Sequence, residues 1–165
     1  MIFHVEHRAK NPMVGVQSAF MALGDALSNG ADRMELRLRI SKVKAEMAKL
    51  PQVEQPLKHE FLPGLYLRTI VNPKDSIVGT KIHREANVST ILRGKLHCIT
   101  EDGLETLMAP CQFITKPGTE RILYAIEETE FSTVHPNPTD TQDLDELEAR
   151  IIAPDFEAIE MEVLP

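Results

Sequence analysis

Gly79-Thr80-Lys81-Ile82-His83-Arg84-Glu85-Ala86-Asn87-Val88-Ser89-Thr90-Ile91-Leu92-Arg93-Gly94-Lys95-Leu96-His97-Cys98-Ile99-Thr100 is the stretch that decides the fold. It turns at Glu101-Asp102-Gly103 and closes with Ala109-Pro110-Cys111-Gln112-Phe113-Ile114-Thr115-Lys116-Pro117-Gly118-Thr119-Glu120-Arg121. Short β-branched and apolar runs are cut here by Arg-Gly, Asp-Gly and Pro-Gly, the pattern of antiparallel strands joined by tight turns. Asp102-Gly103 predicts a hairpin with a primed turn, because glycine tolerates positive φ.

On both sides of this stretch the pattern continues. His59-Glu60-Phe61, Gly64 to Val71, Ile122 to Ile126 and Phe131 to His135 read as further strands, separated by turns at Pro63-Gly64, Asn72-Pro73-Lys74-Asp75 and Glu127-Glu128. Short, evenly spaced strands predict an all-β core, an antiparallel sandwich or barrel over residues 58–136. Upstream, residues 1–57 read as an arm and a helix. Residues 1–30 scatter apolar side chains between Asn11-Pro12 and Ser28-Asn29-Gly30, which predicts an irregular arm with a short helix from Ser18 to Leu27. From Asp32 to Leu50, Met34, Leu38, Val43 and Met47 recur at roughly helical spacing, Leu36, Ile40 and Leu50 widen the stripe, and Arg37, Arg39, Lys42, Lys44 and Lys49 lie among them. Asp32 is the expected N-cap and Pro51 the stop. The helix has two candidate seats, its own barrel or a neighbouring subunit. Residues 137–165 form the tail: a helix capped by Thr141 with an apolar edge of Leu144, Leu147 and Ile151, then a final strand in which Ile159, Met161 and Val163 alternate with glutamates.

The chain has 165 residues, 42% of them apolar, and a net charge of −7. That is enough apolar material for a core, and the charge argues against nucleic acid as a partner. No apolar run reaches the roughly 20 residues needed to span a bilayer. Met1-Ile2-Phe3-His4-Val5-Glu6-His7-Arg8 lacks a secretory leader pattern, so the expected location is a cytoplasm. Cys98 and Cys111 have no metal-binding spacing and read as reduced strand residues; a disulfide between facing strands is the alternative.

The central stretch resembles the small cupin domain. Cupins carry two His one residue apart, a Glu, a Gly seven residues beyond that Glu, and later Pro-x-Gly before a third His. Counting back from Gly94 puts Asn87 at the Glu position, and Lys81 and His83 at the two His positions. The second motif becomes Pro117-Gly118-Thr119-Glu120, with Arg121 near the third His position. Of the four usual ligands only His83 remains. The resemblance implies a cupin-type antiparallel β-barrel, a double-stranded β-helix or jelly roll, that self-associates. A nearer resemblance is to small cupin-like proteins of tailed bacteriophages. It rests on Phe61-Leu62-Pro63-Gly64-Leu65-Tyr66-Leu67-Arg68, Ile82-His83, Ala109-Pro110, Thr133-Val134-His135 and the acidic segment from Asp143 to Ala149. It implies a virion component, assembled in the host cytoplasm and contacting other virion proteins.

Three functional readings follow. His83, Glu85 and His135 form the candidate metal set, since period-2 spacing puts His83 and Glu85 on one strand face and His97 and His135 come from other strands. Lys81 on the face of His83, and Arg121, oppose a cation there. A metal-free enzyme would pair His83 or His135 as base with Tyr124 as acid, Lys81 or Arg121 holding an anionic substrate. The third reading fits most features: no cofactor, a pocket of Lys81, His83, Glu85, Asn87, His97, Arg121, Tyr124 and His135 that pair with one another, and a structural role exercised by a homo-oligomer.

Overall fold

A computed structural model describes residues 5–10, 20–25, 29–30, 32–52 and 55–163, with side chains for all but 5–10 and 160–163. Two five-stranded antiparallel sheets make up most of it. One runs β1 (Val5–Lys10), β4 (Ser76–Thr80), β10 (Ile122–Ala125), β7 (Lys95–Thr100), β8 (Gly103–Met108). The other runs β2 (Leu57–Leu62), β3 (Gly64–Asn72), β11 (Thr129–Asn137), β6 (Asn87–Arg93), β9 (Cys111–Thr115). A small pair, β5 (Ile82–His83) with β12 (Ile152–Ala153), ties the tail to the middle of the chain. The antiparallel β core expected from the sequence is present, but the sheets are not closed into a barrel.

The two sheets differ in how they are covered, and the sequence shows why. Strands of the second alternate buried and open positions: on β3 the side chains of Tyr66, Arg68, Ile70 and Asn72 are buried and those between them are not. The first sheet is apolar on both faces, as Ile77-Val78, Cys98-Ile99 and Ile122-Leu123 record. Its inner face joins Ile70, Ile91 and Phe131 of the opposite sheet around Val78, Leu96, Cys98 and Leu123. Its outer face, Ile77, Ile99 and Ile122, is covered by α1 (Arg33–Met47) through Leu36, Ile40, Val43 and Met47, and by Phe20 and Leu23 of the helical residues 20–25. Each such fully buried aliphatic side chain contributes roughly 2 kcal/mol. The helix is thus seated on its own sheet. Asp32 caps it as expected, accepting from the Glu35 amide at 2.8 Å.

Four local expectations are corrected. Val5–Lys10 is not irregular; it pairs with Ser76–Thr80 as an edge strand. Part of the expected Ser18–Leu27 helix lies outside the described residues; 20–25 are helical. The final strand is a helix, α3 (Phe156–Val163), since Asp155 accepts from the Ala158 amide at 2.9 Å and so offers a helix start that alternation alone hides. The tail helix α2 (Leu144–Ile151) is capped by Asp143, not Thr141, whose hydroxyl binds Glu146 instead. The hairpin at Asp102-Gly103 forms, but the positive φ falls on Gly103 alone, at 140°, so the turn is not of the primed kind. Both cysteines are free. No helix among the described residues is long and apolar enough to cross a membrane.

Candidate functional site

Between the sheets lies a line of polar side chains that strand alternation buries together. Arg121 precedes β10 on the inward face and donates from Nη2 to Thr115 Oγ1 at 2.9 Å. The Thr115 hydroxyl lies 2.7 Å from Ser89 Oγ, which donates to Asn87 Oδ1 at 3.1 Å. Asn87 Nδ2 in turn donates to His83 Nδ1 at 2.6 Å. Because Nδ1 accepts, the imidazole is neutral and carries its proton on Nε2. His135 faces it, ring centroids 5.3 Å apart, with Tyr66 stacked beyond at 6.0 Å. The Tyr66 hydroxyl reaches His59 Nδ1 at 2.7 Å.

Burial and neighbouring cations set the charge states. His83 is held well below the usual histidine range, first by burial, then by His135, Arg121 and Arg68. Burial pushes His135 down to about 3, helped by Arg68 and Arg150. Burial pushes the Tyr66 phenol up to about 12 and the Cys98 thiol up to about 11. Even Arg121 is depressed by its burial. The site's bases are therefore neutral, and its charge is that of guanidinium.

Of the residues the sequence nominated, the structure brings His83, Asn87, Arg121 and His135 together and places the others elsewhere. The break between β4 and β5 resets the alternation at Lys81, which leaves the face of His83 and pairs with Glu148 of α2. The chain bends after His83, so Glu85 is exposed and does not share its face. His97 and Tyr124 stack on each other and on Phe20 beneath the helical cover, outside the inter-sheet space; Tyr124 donates to Asp75 at 3.1 Å. Sequence reasoning missed Arg68, Asn72, Ser89, Thr115 and Thr133. The buried period-2 set Tyr66, Arg68, Ile70, Asn72 was the available signal for the first two.

A metal does not fit this donor set. His83 Nδ1 is occupied by Asn87, Glu85 is outside, and two guanidinium groups line the same space. Among the described residues no three His, Cys, Asp or Glu side chains gather as metal ligands. The inter-sheet cavity beside His83 measures about 20 Å³.

Solved structures with a similar fold include a cupin-2 domain containing protein from Shewanella frigidimarina. It is 17% identical over 56% of this chain and 90% of its own, with a TM-score of 0.42. An RmlC-like cupin family protein with a double-stranded β-helix fold, from Methanocaldococcus jannaschii, is 14% identical over 52% of this chain and 84% of that one, TM-score 0.45. A salicylate 1,2-dioxygenase from Pseudaminobacter salicylatoxidans is 11% identical over 67% of this chain but 34% of that one, TM-score 0.50. The cupin likeness at these identities is one of fold. No family model and no curated protein matches the chain.

Proposed function

We propose that this chain is a non-catalytic cupin-fold interaction protein that works by self-association, the outer face of α1 seating on a second copy. The observation that carries the reading is the two-sidedness of α1. While Leu36, Ile40, Val43 and Met47 are buried in the sheet, Met34 and Leu38 on the opposite side are 61% and 57% exposed. With Ser41 and Phe156 of α3 they line a cleft of about 420 Å³. Single exposed apolar residues are ordinary, but two on one helical stripe opening onto a cleft make an interaction surface. A second copy is the favoured occupant because of charge. Of the basic residues of the segment 33–47, Arg39 and Lys42 lie exposed beside this stripe on a chain of net charge −7, so they attract the acidic remainder of another copy. The space beside His83 supports the non-catalytic part: about 20 Å³ holds a single small particle, where substrate sites occupy roughly 300–1,000 Å³. The phage resemblance of the sequence gives this association its setting, a virion and its other proteins.

The test is the mass of the protein in solution by light scattering. Self-association predicts an oligomer that Met34→Glu with Leu38→Glu reduces to monomer, while His83→Ala keeps the oligomer. A wild-type chain that stays monomeric at every attainable concentration, or a double variant with unchanged mass, rejects the reading.

A further inference from the structure

The inter-sheet cavity is lined by Arg68, Arg121, Asn72, Thr133, His83 and Ser89 over an apolar floor that includes Ile70 and Leu123. No Asp or Glu side chain among the described residues lines it. Arg121 is 8% exposed; its contacts are the Thr115 hydroxyl, the Cys98 sulfur and the Phe113 ring, 5.5 Å from the guanidinium carbon, and it makes no ion pair among the described residues. The one carboxylate whose field reaches it is that of the exposed Glu105. Two further buried donors without a hydrogen-bond partner belong to residues that line the same space: the Asn72 amide nitrogen and the Thr133 hydroxyl, on residues 1% and 4% exposed. Asn72 spends its oxygen on Gln55, so its nitrogen is what remains to offer.

We propose that this cavity is a binding site for a monoatomic anion of chloride or bromide size, held by Arg121, Asn72 and Thr133 with Arg68 alongside. The chemistry selects the ligand. A buried guanidinium outside an ion pair costs several kcal/mol, and a neutral water leaves that cost in place. An anion offsets it and accepts from both idle donors at once. His83 and His135 are neutral and add no competing charge of their own. The volume, about 20 Å³, sets the size: one atom enters, and sulfate, phosphate or a sugar acid does not. The site is independent of the self-association proposed above.

The experiment compares thermal unfolding of the wild-type protein in sodium bromide, sodium chloride and sodium gluconate at equal ionic strength, with bromide anomalous diffraction from crystals grown in bromide. The site predicts a saturable rise in melting temperature with bromide and chloride over gluconate, and an anomalous peak between Arg121, Asn72 and Thr133. Thr133→Val keeps the shape of the side chain and removes one donor to the charge, which shifts the half-saturating halide concentration upward by roughly tenfold or more. Arg121→Met abolishes the halide response. If Arg121→Met does not fold, Thr133→Val decides alone. Equal melting in all three salts, a response that Thr133→Val retains unchanged, or a cavity holding only water in bromide overturns the proposal.

Discussion

His83 and His135 are bases kept neutral by their surroundings, and this makes them a liability in acid. Their folded pKa values lie below the ordinary value of about 6.5, that of His135 at about 3, because burial and the nearby arginines disfavour the imidazolium. The unfolded chain therefore binds protons that the folded chain does not as pH falls below about 6.5. Stability is full above that point and declines below it, by about 1.4 kcal/mol per pH unit for each histidine. Histidines of the unfolded chain take up their protons across pH 7 to pH 5, and the decline in that window is assigned to them. Urea unfolding of His135→Gln across the same window is expected to show a shallower slope by about one proton; an unchanged slope refutes this assignment. A second residue-scale contrast concerns glycine. Gly94 has φ +85°, and a Cβ there would meet the Glu128 carbonyl oxygen at 2.1 Å, a backbone atom that cannot swing aside. Gly64 has φ +75° with open space around it. Gly64→Ala is expected to cost about 1–2 kcal/mol for the left-handed conformation alone. Gly94→Ala adds a clash and is expected to cost several kcal/mol more or to prevent folding, with denaturant midpoints as the measure.

At the scale of elements, what anchors α1 is polar as well as apolar. Lys44 sits on its buried face, its stem over Gly79 and its ammonium on Glu120 and on the Thr80 carbonyl at 3.0 Å. Both partners are buried, so neither tolerates losing the other. Lys44→Met is expected to destabilise by about 3–5 kcal/mol, and Lys44→Met with Glu120→Leu to recover most of that loss, as measured by urea unfolding. A single variant within 1 kcal/mol of wild type, or a double variant no better than the single, removes the pair from the account. This pair marks where sequence reading ran out. The strands from Gly64 onward were legible because alternation and turn residues are local, and so was the cap at Asp32. Lys44 reads in the sequence as one more basic residue of the helix, since nothing local records that Glu120 comes to meet it. The same holds in the site. His83 with Asn87 and Arg121 could be marked from motif spacing, whereas Lys81, Glu85, His97 and Tyr124 were misplaced by a strand break, a bend and a second apolar face. Those are tertiary facts, and short-range periodicity does not carry them.

For the whole molecule, the asymmetry of charge decides how copies would meet. The helix spanning 33–47 is basic, and Arg33 and Arg37 of it are already bound to Glu101 at the β7–β8 turn of the same chain. Arg39 and Lys42 lie exposed beside the Met34–Leu38 stripe, Arg39 in a surface pair with Glu35. An apolar contact flanked by such charges has two components that respond differently to salt. Burial of Met34 and Leu38 is little affected by moderate salt, whereas attraction of Arg39 and Lys42 to acidic surface fades once screening shortens. Raising ionic strength from about 0.05 M to about 0.5 M reduces the screening length from roughly 14 Å to roughly 4 Å. The proposed oligomer is therefore expected to weaken over that range without dissociating fully, its midpoint concentration rising several-fold in sedimentation or light scattering. Arg39→Glu with Lys42→Glu is expected to weaken it already at low salt and to reverse the salt dependence, because a repulsion that salt screens replaces attraction at the rim while the stripe is untouched. A wild-type oligomer whose midpoint does not move with salt would assign the contact to the apolar stripe alone. One that dissociates outright in the charge-reversed variant at every salt concentration would assign it to charge, and the cleft between α1 and α3 would then lose its place as the seat of the second copy.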